Sequence, residues 1–521
     1  MALNLTVPVL EDHPQVLAET RPQQITEFIN TLSTDSPLDA AVALLDEIRI
    51  LNRQVIAAET RLNALEAYWR AVHNLDESLA EKYCNLPLPL PEQAKKNAAA
   101  AEALWLELSY GYKLVALEQQ RKHFNPDAME DMALILQRAI AASGQLLMVF
   151  YHTYFTPPAN IWSDLHQLHF YAAQHDLQDM AVPLADEDNR KSSVSLAYKQ
   201  ALLMALADPQ HLEAQDIRLV ASYIAEHAQH TQIQGLAAPA NPAGVFLVRL
   251  EADKGPLPYV KREDDVNAET DVLFITMDLV RLTHRHLQAL QTGMLKDEAR
   301  LLRHMDTPRY QHMLFYLVRH WGAPARRVFS RTRENDVIEL GIGLGAAHYF
   351  LNGGQYYRQP SESGTSSDAT DSNPERKPSR WQILNISAGG LGLRKFPHTE
   401  DHVQVGDLIC VKNNLAEHWS IGAIRWANHD RMQQLNIGTQ LIAPVAHAVG
   451  IRQLDRPTFE RAILLPELPT LKQETSMIAA PGTYSPARVL ELDEDGRLQR
   501  IMIMRLVEST ARFERFQFAR L

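Results

Sequence analysis

The apolar residues of this chain change their period at Gly322-Ala323-Pro324, and no other feature limits the fold as strongly. Upstream, from about Pro37, apolar positions recur mostly every three or four residues, the spacing of a helix with one buried face. Downstream they come in short, glycine-punctuated runs of strand character. The two textures define a multi-domain α+β protein, a large N-terminal all-α region followed by a strand-rich one. A length of 521 residues is compatible with three or four domains at roughly 150 residues each.

In the first part Leu44, Leu45, Ile48, Leu51, Val55 and Ile56 fall on one stripe, continued by Leu62, Leu65, Tyr68, Trp69 and Val72. Ser36-Pro37 reads as a helix start, with Ser36 as N-cap. The run from Asn85 to Pro91 holds three prolines that lack an N–H, so it predicts an extended connector, with helix resuming from Gln93 to Gln120. Further helices are predicted at 129–155, 162–175, 195–207 and 212–229. Residues 1–235 thus form a helical region. Residues 236–322 form a linking helical segment with a small β-hairpin: a strand at 244–250, a turn at Asp253-Lys254-Gly255-Pro256, a partner at 259–261, and helices at 272–290 and 308–321.

Beyond Pro324, strands are predicted at 337–350, 381–393, 408–412, 420–426 and 435–442, a spacing that suits a small antiparallel barrel over 323–455. Between the first two lies a tract, 359–379, whose sequence from 361 is SESGTSSDATDSNPERKPS; it has nothing to bury and reads as a disordered insertion. Residues 456–521 read as a strand-rich C-terminal extension, with a hairpin signal at Asp495-Gly496.

The net charge of −12 opposes general DNA, RNA or anionic-membrane binding. Cys84 and Cys410 are far apart, which excludes a disulfide framework and a thiolate zinc site. The N-terminus has no signal-peptide pattern, and no run approaches 18 apolar residues, so no membrane span is expected and the expected location is cytoplasmic. His166/His169, His227/His230 and His284/His286 lack the further ligands of a zinc site and are expected to be surface or interface residues, so no metal is expected. GxSxG and GxxxxGK[ST] are absent. Gly341, Gly343 and Gly345 form GxGxG, not the dinucleotide GxGxxG, and no clear helix follows. No cofactor and no catalytic residue is expected.

The chemistry-bearing residues form two short groups. Arg326, Arg327 and Arg331 open the strand-rich part, and Asn385 and Ser387 close a strand just before Gly389-Gly390. In an extended chain Arg327 and Arg331 project together about 13 Å apart. Asn385 and Ser387 share one face, with Leu384 and Ile386 on the core side. Arginines can bond guanine O6 and N7 in pairs, stack on the ring and take phosphate, while the amide and hydroxyl meet base edges, ribose or phosphate. Such a set suits a guanine nucleotide and contains no activated nucleophile.

These residues resemble the two-part signature of the PilZ domains, which bind cyclic di-GMP. RxxxR reads here Arg327-Val328-Phe329-Ser330-Arg331, and [DN]xSxxG reads Asn385-Ile386-Ser387-Ala388-Gly389-Gly390. Gly406-Asp407-Leu408, Ala423 to Trp426 and Leu435 to Gln440 extend the resemblance over roughly 325–450. Arg331 and Asn385 stand further apart than in the family by about the length of the tract, a loop insertion of small entropic cost. The resemblance implies a six-stranded antiparallel barrel and a ligand site of Arg327 and Arg331 as clamp, Arg326 assisting, Asn385 and Ser387 on the opposite edge, and Gly390 at the bend. It implies a cytoplasmic cyclic di-GMP receptor, and because Gly322-Ala323-Pro324 leads directly into Arg326 the signal is expected to be relayed to the helical region and, through it, to an unidentified protein partner. The alternative is a helical scaffold whose barrel binds no nucleotide and serves only protein–protein interaction.

Overall fold

The computed structural model describes residues 2–521 except 13, 34, 122–125, 185–189, 237–241, 260–265, 268–269, 293–306, 324–329, 359–375, 414–415, 431 and 470–472. The chain divides into two units: residues 1–86, 90–209 and 214–326 form one, and residues 87–89, 210–213 and 327–521 the other.

The helices of the first unit are α1 (Pro22–Thr31), upstream of the predicted ones, α2 (Pro37–Arg53), α3 (Ala58–Tyr83), α4 (Glu92–Gln119), α5 (Pro126–Thr153), α6 (Ile161–Gln174), α7 (Val194–Leu206) and α8 (Ala214–His227); Val55 and Ile56, read as part of one helical stripe, lie between α2 and α3, and Val55 is exposed. α2 starts at Pro37, although Ser36 gives its hydroxyl to Asp39 (2.5 Å) and leaves the backbone uncapped. The prolines at 87, 89 and 91 fall between α3 and α4. α5 is long and apolar enough, by length and composition, to cross a membrane, yet 72% of its most apolar window is buried. Its Arg138 lies in the core, where Nε donates to Glu66 (3.1 Å), the carboxylate that also accepts from the Tyr112 hydroxyl (2.7 Å). Burying such a cation is tolerable because it is paired. α5 is a core helix.

A two-residue pair, β1 (Val182–Pro183) and β2 (Lys191–Ser192), precedes α7. A four-stranded sheet follows α8, with β3 (Gln232–Gly235), β4 (Val245–Arg249), β5 (Leu257–Pro258) and β6 (Asp271–Ile275) in the order β3-β6-β4-β5. The expected hairpin is present as β4 and β5, with residue 259 just past β5 and 260–261 outside the described residues. Residues 272–275, read as helix, are strand; α9 (Met277–Gln291) begins after them and α10 (Thr307–Gly322) ends where the period changes. His166 and His169 are buried instead of exposed. His166 Nε2 donates to the Lys254 carbonyl (2.8 Å) and Nδ1 accepts from Tyr198 (2.6 Å), while His169 stacks on the Tyr198 ring with centroids 4.3 Å apart.

The second unit holds two closed barrels. The first uses β7 (Thr332–Arg333), β8 (Val337–Ile342), β9 (Ser379–Ser387), β10 (Gly390–Lys395), β11 (Leu408–Asn413), β12 (Ser420–His429) and β13 (Leu435–Ala443). The order is β10-β13-β12-β11-β8-β9, with β9 returning to β10 to close six antiparallel strands and β7 added along β9. The strand expected over 337–350 stops at Ile342. Gly343, at φ 83°, turns the chain into α11 (Leu344–Leu351), so a helix does begin within the glycine triplet, with Gly345 inside it, but after an antiparallel strand and not in a βαβ unit.

The C-terminal segment is more than an extension. β14 (His447–Gln453), β15 (Glu460–Leu465), β16 (Ser476–Ala479), β17 (Val489–Glu494), β18 (Arg497–Ser509) and β19 (Glu514–Arg520) close in the order β14-β15-β16-β19-β18-β17 around Ile451, Leu492, Ile501, Ile503 and Phe516. The hairpin at Asp495-Gly496 forms as read, both residues having positive φ (53° and 81°) as a two-residue type I′ loop requires. Leu408, Cys410, Ile421 and Ala423 of the first barrel, Ala347 of α11, and Ile463, Leu465, Ile478 and Phe513 of the second form one buried cluster. The outer face of β11–β12 is therefore covered by the second barrel.

Candidate ligand-binding face

β9 carries the Asn-x-Ser motif, and a bulge decides where it points. Trp381 and Ile383 are buried, and Ile383 pairs with Leu393 on β10. The register then shifts: Asn385 pairs with Gly392, so Leu384 has no partner of its own on β10. The extra residue interrupts the alternation at Leu384, while Ile386 stands opposite a buried residue, Leu391. Asn385 and Ser387 still share one face. Ser387 pairs with Gly390, Gly390 with Gln440, and Gln440 with Ala423 of the interbarrel cluster. Since Gln440 is exposed, that face is the outer one.

β7 brings an arginine to the same face. Thr332 pairs with Ile386 and Arg333 with Asn385, so Arg331, one residue earlier, enters level with Ser387. Arg331 and Arg333 are both exposed. Arg333 is a residue that motif reading missed; simple alternation from Arg331 would have placed it beside Asn385. Arg326 and Arg327 lie outside the described residues.

Two rows cross the outer face at neighbouring levels. One runs Arg331, Ser387, Gly390, Gln440, Ala423; the other runs Arg333, Asn385, Gly392, Gly438, Trp426. Three of the ten positions are glycine, two are arginine and none is acidic. The Asn385 amide lies over Gly392, where an added Cβ would come within 2.8 Å of it, and the Trp426 indole lies over Gly438. The Ser387 hydroxyl donates to the Gly390 carbonyl (3.2 Å), which holds the bend in shape. The result is a flat, cationic platform with a side-chain amide, a hydroxyl and an indole at its margins. It can take a planar, anionic, hydrogen-bonding ligand, and in a chain of net charge −12 it is a local basic site. Among the described residues no group of three or more His, Cys, Asp or Glu could hold a metal ion.

Comparison with known proteins gives the class of the first barrel. Residues 245–375 and 357–448 match the family described as the middle PilZ domain of the cyclic-di-GMP receptor FimW, the two pieces overlapping over 357–375. The first barrel is a PilZ domain. Residues 23–240 match the N-terminal domain of the same receptor, and residues 448–521 match its C-terminal β-barrel domain. The chain as a whole is 24% identical to the cyclic-di-GMP receptor FimW of Pseudomonas aeruginosa, over 576 aligned positions that span 99% of this chain and 93% of the relative.

Proposed function

We propose that this chain is a non-catalytic receptor for cyclic di-GMP, that its PilZ domain binds the nucleotide on the outer face of β9 and β10, and that binding is relayed to the helical region. The observation that carries this reading is the level entry of Arg331 beside Ser387, because it joins the two halves of the signature on one face. A guanidinium there can pair with a guanine edge or a phosphate while the Ser387 hydroxyl and Asn385 amide meet the other side of the ligand. Arg326 and Arg327, just upstream in sequence, complete the clamp in this reading, and Gly390 shapes its floor.

The relay has a short path in sequence. α10 ends at Gly322 and β7 begins at Thr332, so few residues separate a helix of the first unit from the arginine of the site. A ligand that orders this stretch can bias the helices only through its differential affinity for their arrangements. Calorimetric titration with cyclic di-GMP tests the binding claim. A dissociation constant in the micromolar range or tighter, on the order of −8 kcal/mol, is expected. Absence of heat at nucleotide concentrations roughly a hundredfold above that range contradicts it and favours the scaffold alternative.

A further inference from the structure

Arg425 sits at the edge of the platform on a second bulge. Ile424 pairs with Thr439 and Trp426 with Gly438, so Arg425 has no partner of its own on β13. A bulge re-aims its side chain. Arg425 Nε donates to Gln440 Oε1 (2.8 Å), and Nη1 forms an ion pair with Glu508 on β18 of the second barrel. Gln440 is the residue directly across from Gly390, which in turn pairs with Ser387. At the usual strand spacing the Gln440 backbone stands about 10 Å from that of Ser387, and the only residue between them has no side chain. A guanidinium at Gln440 is therefore within the span of a nucleotide that lies on the platform.

Glu508 is shared. Arg515 stands directly across from it on β19, half-buried, and donates from Nε to Ser476 Oγ (3.0 Å). Burial lowers the Arg515 pKa, Glu508 raises it and Arg425 lowers it again, so Arg515 lies within electrostatic reach of both members of the pair. If Arg425 turns to an anion, Glu508 keeps a cation opposite it. The Arg425–Glu508 pair is itself partly open to water, with side chains 30% and 17% exposed, so solvent screens it more than a fully buried pair.

We infer that Arg425 is a further ligand-binding residue, which Glu508 of the second barrel holds in the free protein and which transfers to a phosphate or guanine edge of the bound nucleotide. The inference rests on the reading of this face as the cyclic di-GMP site. It gives the C-terminal barrel a role in setting affinity, since the carboxylate that competes with the ligand belongs to it.

The two ends of the pair then act with opposite sign. In calorimetric titrations of the full chain with cyclic di-GMP, Arg425→Ala should weaken binding at least about fivefold, the low end of a bidentate arginine contact. Glu508→Gln should tighten it about two- to fivefold, the worth of a competing pair that solvent partly screens. Thermal melts of both variants establish that they fold, and Glu508→Gln carries the test if Arg425→Ala does not. Unchanged affinity in the variants that fold overturns the inference while the receptor reading stands. Weaker binding in both overturns it as well, because it shows a purely structural pair. No binding by the unmodified chain overturns the receptor reading and this inference with it.

Discussion

A Cβ built on Gly390 would lie 1.8 Å from the carbonyl oxygen of Thr439. The obstacle is backbone, so no rotamer change relieves it. The last glycine of the [DN]xSxxG motif is thus required for β10 to pair with β13 and close the barrel. Gly390→Ala should destabilise the PilZ domain by about 1–3 kcal/mol, the usual scale of overpacking, and lower its melting temperature. Ser387→Ala removes one hydrogen bond (3.2 Å) to the Gly390 carbonyl and should cost only about 0.5–1.5 kcal/mol. Comparing the two melts separates the structural residue of the motif from one available to a ligand.

Arg331 is exposed and stands level with Ser387. Its replacement by Ala should leave the melting temperature within about a degree or two, since exposed substitutions usually change stability by less than about 0.5 kcal/mol. It should weaken cyclic di-GMP binding by about 1–3 kcal/mol. Titration and melting on the same sample check both. Arg333→Ala, one step further along the same face, should weaken binding in the same direction.

The buried histidines of the first unit make its stability depend on pH. Burial lowers the pKa of His152 to about 3, of His166 to about 4 and of His169 to about 3. In the unfolded chain each returns to about 6.5. As pH falls below that value the unfolded state takes up protons that the folded state refuses, so stability declines from about pH 6.5 downward, through the folded values near 4 and 3. Urea midpoints followed by far-ultraviolet circular dichroism should fall between pH 7.5 and 5.5. His169→Phe keeps the stacking on Tyr198 and should flatten that slope by about one proton.

What the sequence made readable is what local rules govern. Prolines at 87, 89 and 91 ended a helix because they lack a donor, and Asp495-Gly496 made a hairpin because its turn needs two positive φ values. That Asn385 and Ser387 share one face followed from strand alternation. What escaped depends on partners distant in sequence. The i,i+3 spacing of His166 and His169 shows that they share a helix face but not that α7 and the Lys254 loop cover it. Residues 272–275 are a short apolar run running into a helix, which periodicity cannot separate from that helix. Closure of the second barrel rests on pairs such as Gly450 with Asp493. The bulges at Leu384 and Arg425 leave no mark in composition, yet they decide which side chains reach the platform.

The central claim is that cyclic di-GMP lies on the outer face formed by β7, β9, β10 and β13. Hydrogen exchange of the full chain with and without the nucleotide measures this most directly. The account predicts slower exchange in segments 331–333, 385–392 and 436–441 on addition of ligand, and loss of that protection in Arg331→Ala. Saturating ligand that slows exchange elsewhere but leaves these three segments unchanged would contradict it.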